Sequence, residues 1–152
     1  MAWSFLVVDD NGAETARTME QLQRLQPGAE VLCAESGLDA LALLEEKRMV
    51  PSLIFLDYGM PGMNGLEFLV SLRGRRWLEG TPVAMLTTPI ADRLVVNCYR
   101  FGACAFLTKP AQLHEVRETL RDHAQPVKRM TAATVIPGGA PAPFVPGTKT
   151  AA

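Results

Sequence analysis

Apolar segments of three to five residues recur along the chain, and each stops at polar or loop-forming residues. Such short, wholly apolar runs are typical of strands that are buried on both faces of a parallel sheet. The pattern predicts five strands, at residues 4–8, 31–33, 53–56, 83–87 and 105–107.

Amphipathic segments follow the predicted strands, with apolar residues three or four positions apart. This spacing places the apolar side chains on one face of a helix, and we predict five helices. Pro27 follows the first helix, the second ends near Arg48, and the third closes at Gly74. The fourth is predicted at about 91–101, with Gly102 as its left-handed cap.

The alternation of five strands with five helices predicts a doubly wound α/β domain with a five-stranded parallel sheet. Parallel neighbours need crossover connections, and right-handed helical crossovers cover both faces of the sheet. Ligands of such sheets bind beyond the carboxyl ends of the strands, where the strand order reverses. Candidate chemistry is therefore expected at the strand ends.

Composition supports one packed core and argues against a nucleic-acid or membrane-surface partner. Hydrophobic residues make up 48% of the 152 and charged residues 20%, outside the range of disordered chains. Three of the 15 bases and none of the 16 acids fall after residue 126, which leaves residues 1–126 with a net charge of −4. Arg73, Arg75 and Arg76 lie beside Trp77, and we interpret this short basic cluster as a solvated loop.

Cysteine usage and hydropathy indicate a reducing compartment. Cys33, Cys98 and Cys104 lie among apolar neighbours, and no two have the C-x-x-C spacing of a zinc or redox site. No run of 18 apolar residues occurs, and Asp9 and Asp10 cut the first apolar run short. We therefore predict no disulfide, zinc site, signal peptide or membrane span. We predict a cytoplasmic location.

Polar residues stand at the carboxyl ends of four of the five predicted strands. Singly, each is more often an ordinary loop acid, strand-end hydroxyl or surface lysine than a functional group. Together they indicate a site, because the other strand positions are apolar and chance rarely places so many polar residues at one edge. They are Asp9 and Asp10 after the first strand, Asp57 after the third, Thr87 and Thr88 at the fourth, and Lys109 after the fifth.

The residue types at these ends suit phosphoryl chemistry. Carboxylates of Asp9, Asp10 and Asp57 that met without a cation would repel one another by about 1–4 kcal/mol per pair at a separation of ~4 Å. Hard oxygen ligands with few protein donors favour Mg²⁺, which keeps several waters and adds phosphate oxygens. Lys109 supplies a point charge for an anion, and Thr87 a neutral hydrogen-bond donor.

Four segments at the strand ends form an ordered set of motifs. Their order and spacing resemble the response-regulator receiver domain, the phosphoacceptor module of two-component signalling, in its chemotaxis-regulator form. The resemblance covers residues 4 to about 124 and implies the flavodoxin-like receiver fold. The segments are VVDDN with Asp9 and Asp10, DYGMPGMNG with the D-x-x-M-P-x-M-x-G pattern from Asp57, MLTT with Thr87, and FLTKP with Phe106, Lys109 and Pro110.

The resemblance implies that Asp57 is the nucleophile that takes a phosphoryl group from a sensor histidine kinase or a phosphotransfer protein. Beside Asp57, Asp10 would bind Mg²⁺ directly, Asp9 mainly through water, and Gly59 through its backbone carbonyl. The chain would then be a signalling phosphoacceptor that catalyses only its own phosphorylation and dephosphorylation, and not an enzyme in the ordinary sense.

The resemblance also assigns roles at the fourth and fifth strands. Lys109 would pair with a phosphoryl oxygen, while the Thr87 hydroxyl and the Thr88 backbone N–H bind others. Pro110 would hold the lysine loop through a cis Lys109-Pro110 peptide bond. As an output switch, Thr87 would move toward the phosphoryl group and Phe106 would rotate into the vacated space. Phe106 has no hydroxyl, so its outward state would expose an apolar ring.

Some positions depart from the common receiver pattern. Gly59 and Pro89, two positions beyond Asp57 and Thr87, offer no polar side chain to position water near the phosphoryl group. Residues 102–105 lack the acids that winged-helix transcription regulators use in the charged network of their dimers. That network is not expected, although the last two helices and the fifth strand are a candidate face for a homodimer.

Two other functions stay open on the residues alone. Small α/β phosphatases also use a strand-end aspartate with Mg²⁺, but they place a second aspartate where this chain has Gly59. A receiver-like interaction module that is never phosphorylated usually loses an acid or the lysine, and this chain keeps Asp9, Asp10, Asp57 and Lys109. The output domain or protein is unspecified, and direct nucleic-acid or membrane binding is not predicted.

Residues 126–152 are predicted to form a Pro-, Ala- and Gly-rich tail or linker after a receiver domain at 1–125. The segment is too short for an output domain, so the chain is either a stand-alone receiver or the receiver of a longer regulator. Apolar pairs at 135–136 and 144–145 interrupt this composition. We predict that they dock against their own domain or a neighbouring one, on the Phe106 face.

Overall fold

All five predicted strands form, and all are parallel members of one sheet. The computed structural model describes residues 1–127. The strands are β1 Ser4–Val8, β2 Glu30–Ala34, β3 Leu53–Leu56, β4 Val83–Thr87 and β5 Ala103–Thr108. Their order in the sheet is β2-β1-β3-β4-β5, which confirms the predicted doubly wound architecture.

Two strands are longer than the sequence pattern predicted. β5 begins at Ala103, because small residues continue the pairing with β4 although they add little to the apolar signal. A register shift between Val83 and Ala84 accommodates the longer strand. β2 lies at the edge of the sheet, where Glu30 and Cys33 are exposed and the apolar pattern is correspondingly weak.

Five helices form as predicted, together with an unpredicted 3₁₀ turn at Arg76–Leu78. The helices are α1 Gly12–Leu25, α2 Gly37–Lys47, α3 Gly65–Arg73, α4 Asp92–Arg100 and α5 Leu113–His123. The Asn11 side chain caps α1, and Asn64 and Glu67 form a capping box at α3. Gly102 has the predicted left-handed backbone, with φ of 93°. Within residues 1–127, no helix is both long and apolar enough to cross a membrane.

The helices form two layers, one on each face of the sheet. Leu44 of α2, Phe68 of α3 and Cys98 of α4 are fully buried in one layer. Leu22 of α1 and Val116 of α5 are fully buried in the other. Each buried Leu or Phe stabilises the fold by about 1.5–3 kcal/mol relative to an exposed side chain, so both layers hold the sheet rigid beneath its carboxyl edge.

After α5 the chain returns to the amino-terminal end of the sheet. Val127 forms an antiparallel bridge with Ala2, in which each backbone N–H donates to the other residue's carbonyl over 2.8 Å. The backbone N–H of Gln125 donates to the carbonyl of Ser52 over 3.4 Å. The predicted docking of the apolar pairs at 135–136 and 144–145 lies outside the described residues.

Candidate functional site

Three aspartates meet where the strand order reverses, at the carboxyl ends of β1 and β3. The backbone N–H groups of Asp9 and Asp57 extend the sheet, donating to Ala34 over 3.1 Å and to Val8 over 2.9 Å. One carboxylate oxygen from each of Asp9, Asp10 and Asp57 lies within 4.8 Å of the others. Asp9 and Asp57 are buried and Asp10 is exposed, so the cluster opens to solvent on the Asp10 side.

Lys109 lies between two of these carboxylates. Its Nζ is 2.6 Å from Asp9 Oδ2 and 3.3 Å from Asp57 Oδ2. The lysine backbone N–H donates to the carbonyl of Thr87 over 3.0 Å, which ties the end of β5 to β4. The Lys109-Pro110 peptide bond is cis, as the resemblance implied. The ammonium group therefore offsets negative charge at the buried end of the cluster.

Burial and pairing shift the ionisation of this lysine and its nearer acid. Burial raises the pKa of the Asp9 carboxyl, and hydrogen bonds from Lys109 and from the Asn11 backbone N–H oppose that rise without cancelling it. Burial also acts to lower the pKa of Lys109, but the hydrogen bond with Asp9 and the nearby charges of Asp57 and Asp9 outweigh it and raise the pKa. Lys109 is therefore protonated at neutral pH, and a cation would favour the ionised form of Asp9.

The acidic cluster fits a small, hard cation. Asp9, Asp10 and Asp57 offer oxygen atoms only, which is the donor type that Mg²⁺ prefers. Gly59, whose backbone carbonyl is the further predicted ligand, lies exposed in the loop after Asp57. Because Mg²⁺ keeps several of its waters, this small number of protein donors is enough for it.

Thr87 ends β4 at the same edge, with a hydroxyl that has no hydrogen-bond partner among residues 1–127. The residue is buried, and an unsatisfied buried hydroxyl costs about 1–3 kcal/mol. Thr88, the next residue, is exposed. An anion with acceptor oxygens at this edge would give the Thr87 hydroxyl the partner that residues 1–127 do not supply.

The loop after Asp57 closes on Gly65, the first residue of α3. The backbone N–H of Gly65 donates to the Tyr58 carbonyl over 2.8 Å. A Cβ atom at Gly65 would lie 2.5 Å from the carbonyl oxygen of Asp57 and 2.7 Å from Tyr58 Cα. Only glycine permits this approach, which explains the last position of the D-x-x-M-P-x-M-x-G pattern in physical terms.

Phe106, the predicted switch residue, is half-buried on β5 and contacts Tyr99 of α4. The two ring centroids are 5.3 Å apart and the ring planes are inclined by 44°. Phe106 packs against the buried core, whereas Tyr99 is 48% exposed and its neighbour Val96 is 51% exposed. The aromatic pair therefore joins the core to an exposed apolar surface. No sequence motif marks Tyr99, because its contact with Phe106 depends on how α4 packs.

The interpretation of the basic cluster as a solvated loop is wrong for Arg73. Its side chain is half-buried, and burial lowers the pKa of its guanidinium. The guanidinium links the end of α3 to the turn before β4 and to the turn between α4 and β5. It donates hydrogen bonds of 2.9 to 3.3 Å to the carbonyls of Leu78, Glu79, Thr81, Phe101 and Gly102.

Replacing Arg73 should therefore destabilise the fold. Arg73→Met keeps much of the aliphatic stem but removes the donors, leaving these carbonyls to find water or remain unpaired. We expect a loss of about 2 kcal/mol in the free energy of unfolding. Urea unfolding measures it, with Arg93→Met, an exposed arginine on α4, as the matched control. Equal stability of the two variants would contradict a structural role for the Arg73 hydrogen bonds.

Comparisons with known proteins identify the family of the chain. Residues 5–121 match the family described as the response regulator receiver domain. The chain is 34% identical over 117 residues to the chemotaxis protein CheY homolog of Campylobacter jejuni, which covers 77% of this chain and 88% of that protein. It is 36% identical over 140 residues to the sensory/regulatory protein RpfC of Xanthomonas campestris, which covers 86% of this chain but only 18% of RpfC.

A solved structure has the same fold. Chemotaxis protein CheY4 of Vibrio cholerae superposes with a TM-score of 0.73 at 30% sequence identity, over 81% of this chain and 99% of that one. Fold and site together define a receiver module of two-component signalling. The chain belongs to the response regulator receiver domain family, whose members are signalling phosphoacceptors that interact with histidine kinases and output domains.

Proposed function

We propose that the chain accepts a phosphoryl group on Asp57 from a sensor histidine kinase or a phosphotransfer protein, with Mg²⁺ held by Asp9, Asp10, Asp57 and the carbonyl of Gly59. One observation carries the proposal: the buried Asp57 carboxylate lies 3.3 Å from Lys109 Nζ and beside two further carboxylates. A carboxylate nucleophile, a fixed positive charge and oxygen ligands for a metal are what phosphoryl transfer to aspartate needs.

In the proposed step, an Asp57 carboxylate oxygen attacks the phosphorus of the phosphohistidine. A P–O bond forms, the P–N bond breaks, and its electron pair stays on the imidazole nitrogen. Lys109, the Thr87 hydroxyl and the Thr88 backbone N–H bind the phosphoryl oxygens. Mg²⁺, when bound, neutralises negative charge on the transferring group. Water later attacks the phosphorus, which releases phosphate and restores the carboxylate.

The output switch is assigned to Thr87 and Phe106. The Thr87 hydroxyl, which has no partner in the part of the chain that the structure describes, gains an acceptor by moving toward the phosphoryl oxygens. Phe106 then turns into the space that Thr87 leaves. Such a rotation separates the Phe106 ring from Tyr99 and changes the exposed surface of α4 and β5. The partner of this surface is an output domain, an output protein or a second copy joined through α4, β5 and α5.

Neither alternative function has an observation in its favour. A phosphatase of the small α/β type needs a second acid two positions after its nucleophile, and that position is the exposed Gly59. A receiver-like module that is never phosphorylated has no need to assemble Asp9, Asp57 and Lys109 in one buried cluster. Phosphoryl acceptance accounts both for the cluster and for a Thr87 hydroxyl that has no partner within residues 1–127.

The proposal extends to the wider context of the receiver, namely the length of its relatives, its location and its partners. The chain spans 18% of RpfC but 88% of the Campylobacter jejuni homolog, so relatives include both long and short proteins. We propose a cytoplasmic location, because Cys33, Cys98 and Cys104 are free cysteines, as is usual in a reducing compartment. The net charge of −4 over residues 1–126 argues against direct nucleic-acid binding by this segment.

Incubation with a small-molecule phosphodonor and Mg²⁺ tests the proposed function. Intact-mass analysis should find one added phosphoryl group, and peptide mapping should place it on Asp57. Omitting Mg²⁺ should slow the labelling. A label on another residue, or no label under any condition, would reject the assignment.

Magnesium should also stabilise the fold, because a ligand that binds only the native state adds RT ln(1 + [L]/Kd) to the free energy of unfolding. This amounts to about 2.7 kcal/mol at a hundredfold excess over Kd. Thermal melts with and without Mg²⁺ measure the shift, which Asp10→Ala should reduce. Asp39→Ala, at an exposed acid on α2, should leave the shift unchanged. Coincident melts of the unmodified protein would count against the metal site.

A further inference from the structure

Gln21 is a polar residue buried on the inward side of α1. Its side chain and backbone together are 8% exposed, and the adjacent Leu22 is fully buried in the core. The Gln21 Nε2 donates a hydrogen bond of 2.9 Å to the backbone carbonyl of Ala111. Because a buried amide is costly unless it is hydrogen-bonded, this single contact defines where the side chain points.

Arg17 approaches the same carbonyl from one helical turn earlier. Its Nη2 donates to the Ala111 oxygen over 3.2 Å, and residues four apart on a helix lie on one face. A carbonyl oxygen has two lone pairs and can accept both hydrogen bonds. Ala111 itself is 2% exposed, so the chain at this point is held inside the protein.

Ala111, whose carbonyl accepts both hydrogen bonds, lies two residues after Lys109. On its other side, the Lys109 backbone N–H donates to the Thr87 carbonyl of β4 over 3.0 Å. The segment that carries the lysine is therefore fixed at one end by β4 and at the other by α1. The position of the ammonium group depends on both attachments.

The same helix also fixes the acid that pairs with the lysine. Asn11 caps α1, and its backbone N–H donates to Asp9 Oδ1 over 2.9 Å. Asp9 Oδ2 is 2.6 Å from Lys109 Nζ. One rigid helix thus holds the carboxylate at its start and the lysine loop at its second and third turns, which sets the spacing between the two groups.

We propose that Gln21, assisted by Arg17, is a positioning residue for Lys109 in phosphoryl transfer to Asp57. The inference rests on the proposed function, because it assigns Gln21 a part in that reaction. Without the Gln21 hydrogen bond, the Ala111 carbonyl loses the shorter of its two contacts with α1 and keeps the 3.2 Å contact with Arg17. The ammonium group then spends less time where it meets the transferring phosphoryl group, and small misplacements of a charged group are costly to rate.

The test measures the initial rate of Asp57 labelling by a small-molecule phosphodonor at saturating Mg²⁺. Gln21→Met preserves side-chain length but removes the donor, and we expect about a tenfold loss of rate. Arg17→Met, at an exposed position, should lower the rate about twofold to threefold. Hydrogen exchange over residues 109–112 should be faster in both variants.

Two variants on the same helix serve as controls. Gln23→Met changes an exposed glutamine that does not reach the lysine loop. Thr18→Val removes a buried hydroxyl that bonds only within α1, to the Glu14 carbonyl over 3.0 Å. Thr18→Val therefore reports what a loss of stability in α1 does to the labelling rate. Both controls should label at close to the unmodified rate.

A double-mutant cycle separates positioning from a merely structural role. If Gln21 acts through Lys109, then adding Gln21→Met to Lys109→Ala should cause no further loss of rate, whereas a general structural defect would slow both backgrounds alike. Equal slowing in both backgrounds would overturn the inference, as would a Gln21→Met rate equal to that of Gln23→Met.

The outcomes distinguish this inference from the proposed function. An unmodified protein that is not labelled on Asp57 would refute both. Normal labelling of the unmodified protein with no effect of Gln21→Met would refute the positioning role alone. If Gln21→Met fails to fold, Arg17→Met tests the inference instead. An unchanged labelling rate and unchanged hydrogen exchange over residues 109–112 in Arg17→Met would then reject the role of the hydrogen bonds from α1 to the Ala111 carbonyl.

Discussion

Asp57→Asn should take up no phosphoryl group under conditions that label the unmodified protein completely. An amide is a far weaker nucleophile than a carboxylate, and it removes the charge that pairs with Lys109 over 3.3 Å. The loss should be complete at every incubation time, whereas a variant that is only slowed would still become labelled on longer incubation. Intact-mass analysis after incubation with a small-molecule phosphodonor measures it.

The variant should remain folded, so its lack of label will report chemistry. Asparagine has the size of aspartate, and Lys109 keeps its 2.6 Å contact with Asp9. Asp39→Asn, at an exposed acid on α2, is the matched control and should be labelled normally. Lys109→Ala should retain the label but acquire it about 100-fold more slowly, because it removes one electrostatic donor. A phosphoryl group retained by Asp57→Asn would identify a different nucleophile.

The sequence predicted the sheet well because its central strands are apolar on both faces. Leu53–Leu56 and Val83–Thr87 are buried throughout, and the predicted and observed limits of these two strands agree. The apolar pattern is weaker in β2 and β5, the two edge strands of the sheet, for a physical reason. Glu30 and Cys33 of β2 face solvent, and Ala103 of β5 is paired by its backbone while its small side chain contributes little hydropathy.

The site was predictable to the extent that topology alone brings residues together. Parallel strands end at one edge, which is why Asp9, Asp57 and Lys109 lie side by side although far apart in the chain. Contacts made by long polar side chains follow no such rule. Arg73 reaches Phe101, 28 residues away, and Gln21 reaches Ala111, 90 residues away, and both depend on how neighbouring elements pack. The spacing of residues along the sequence therefore predicts neither contact.

Gly65→Ala should cost about 3–4 kcal/mol in the free energy of unfolding, more than most substitutions of its size. The added methyl carbon would lie 2.5 Å from the Asp57 carbonyl oxygen and 2.7 Å from Tyr58 Cα. Both are backbone atoms, which cannot rotate away as a flexible side chain can. Relief requires α3 to move from the loop or the loop to move from β3, and either displaces Asp57 from Lys109. The free energy of unfolding, measured with urea, and the rate of Asp57 labelling should therefore both decrease.

Gly12→Ala is the matched control for this effect. Gly12 is likewise the first residue of a helix and follows an asparagine cap, but a Cβ atom there would meet nothing within 4 Å. Since alanine favours helix over glycine by about 1 kcal/mol, the control should be as stable as the unmodified protein or slightly more so. The difference between the two variants then measures the steric approach of α3 to the Asp57 backbone. Equal stability would mean that the loop yields freely, and that the motif glycine is retained for another reason.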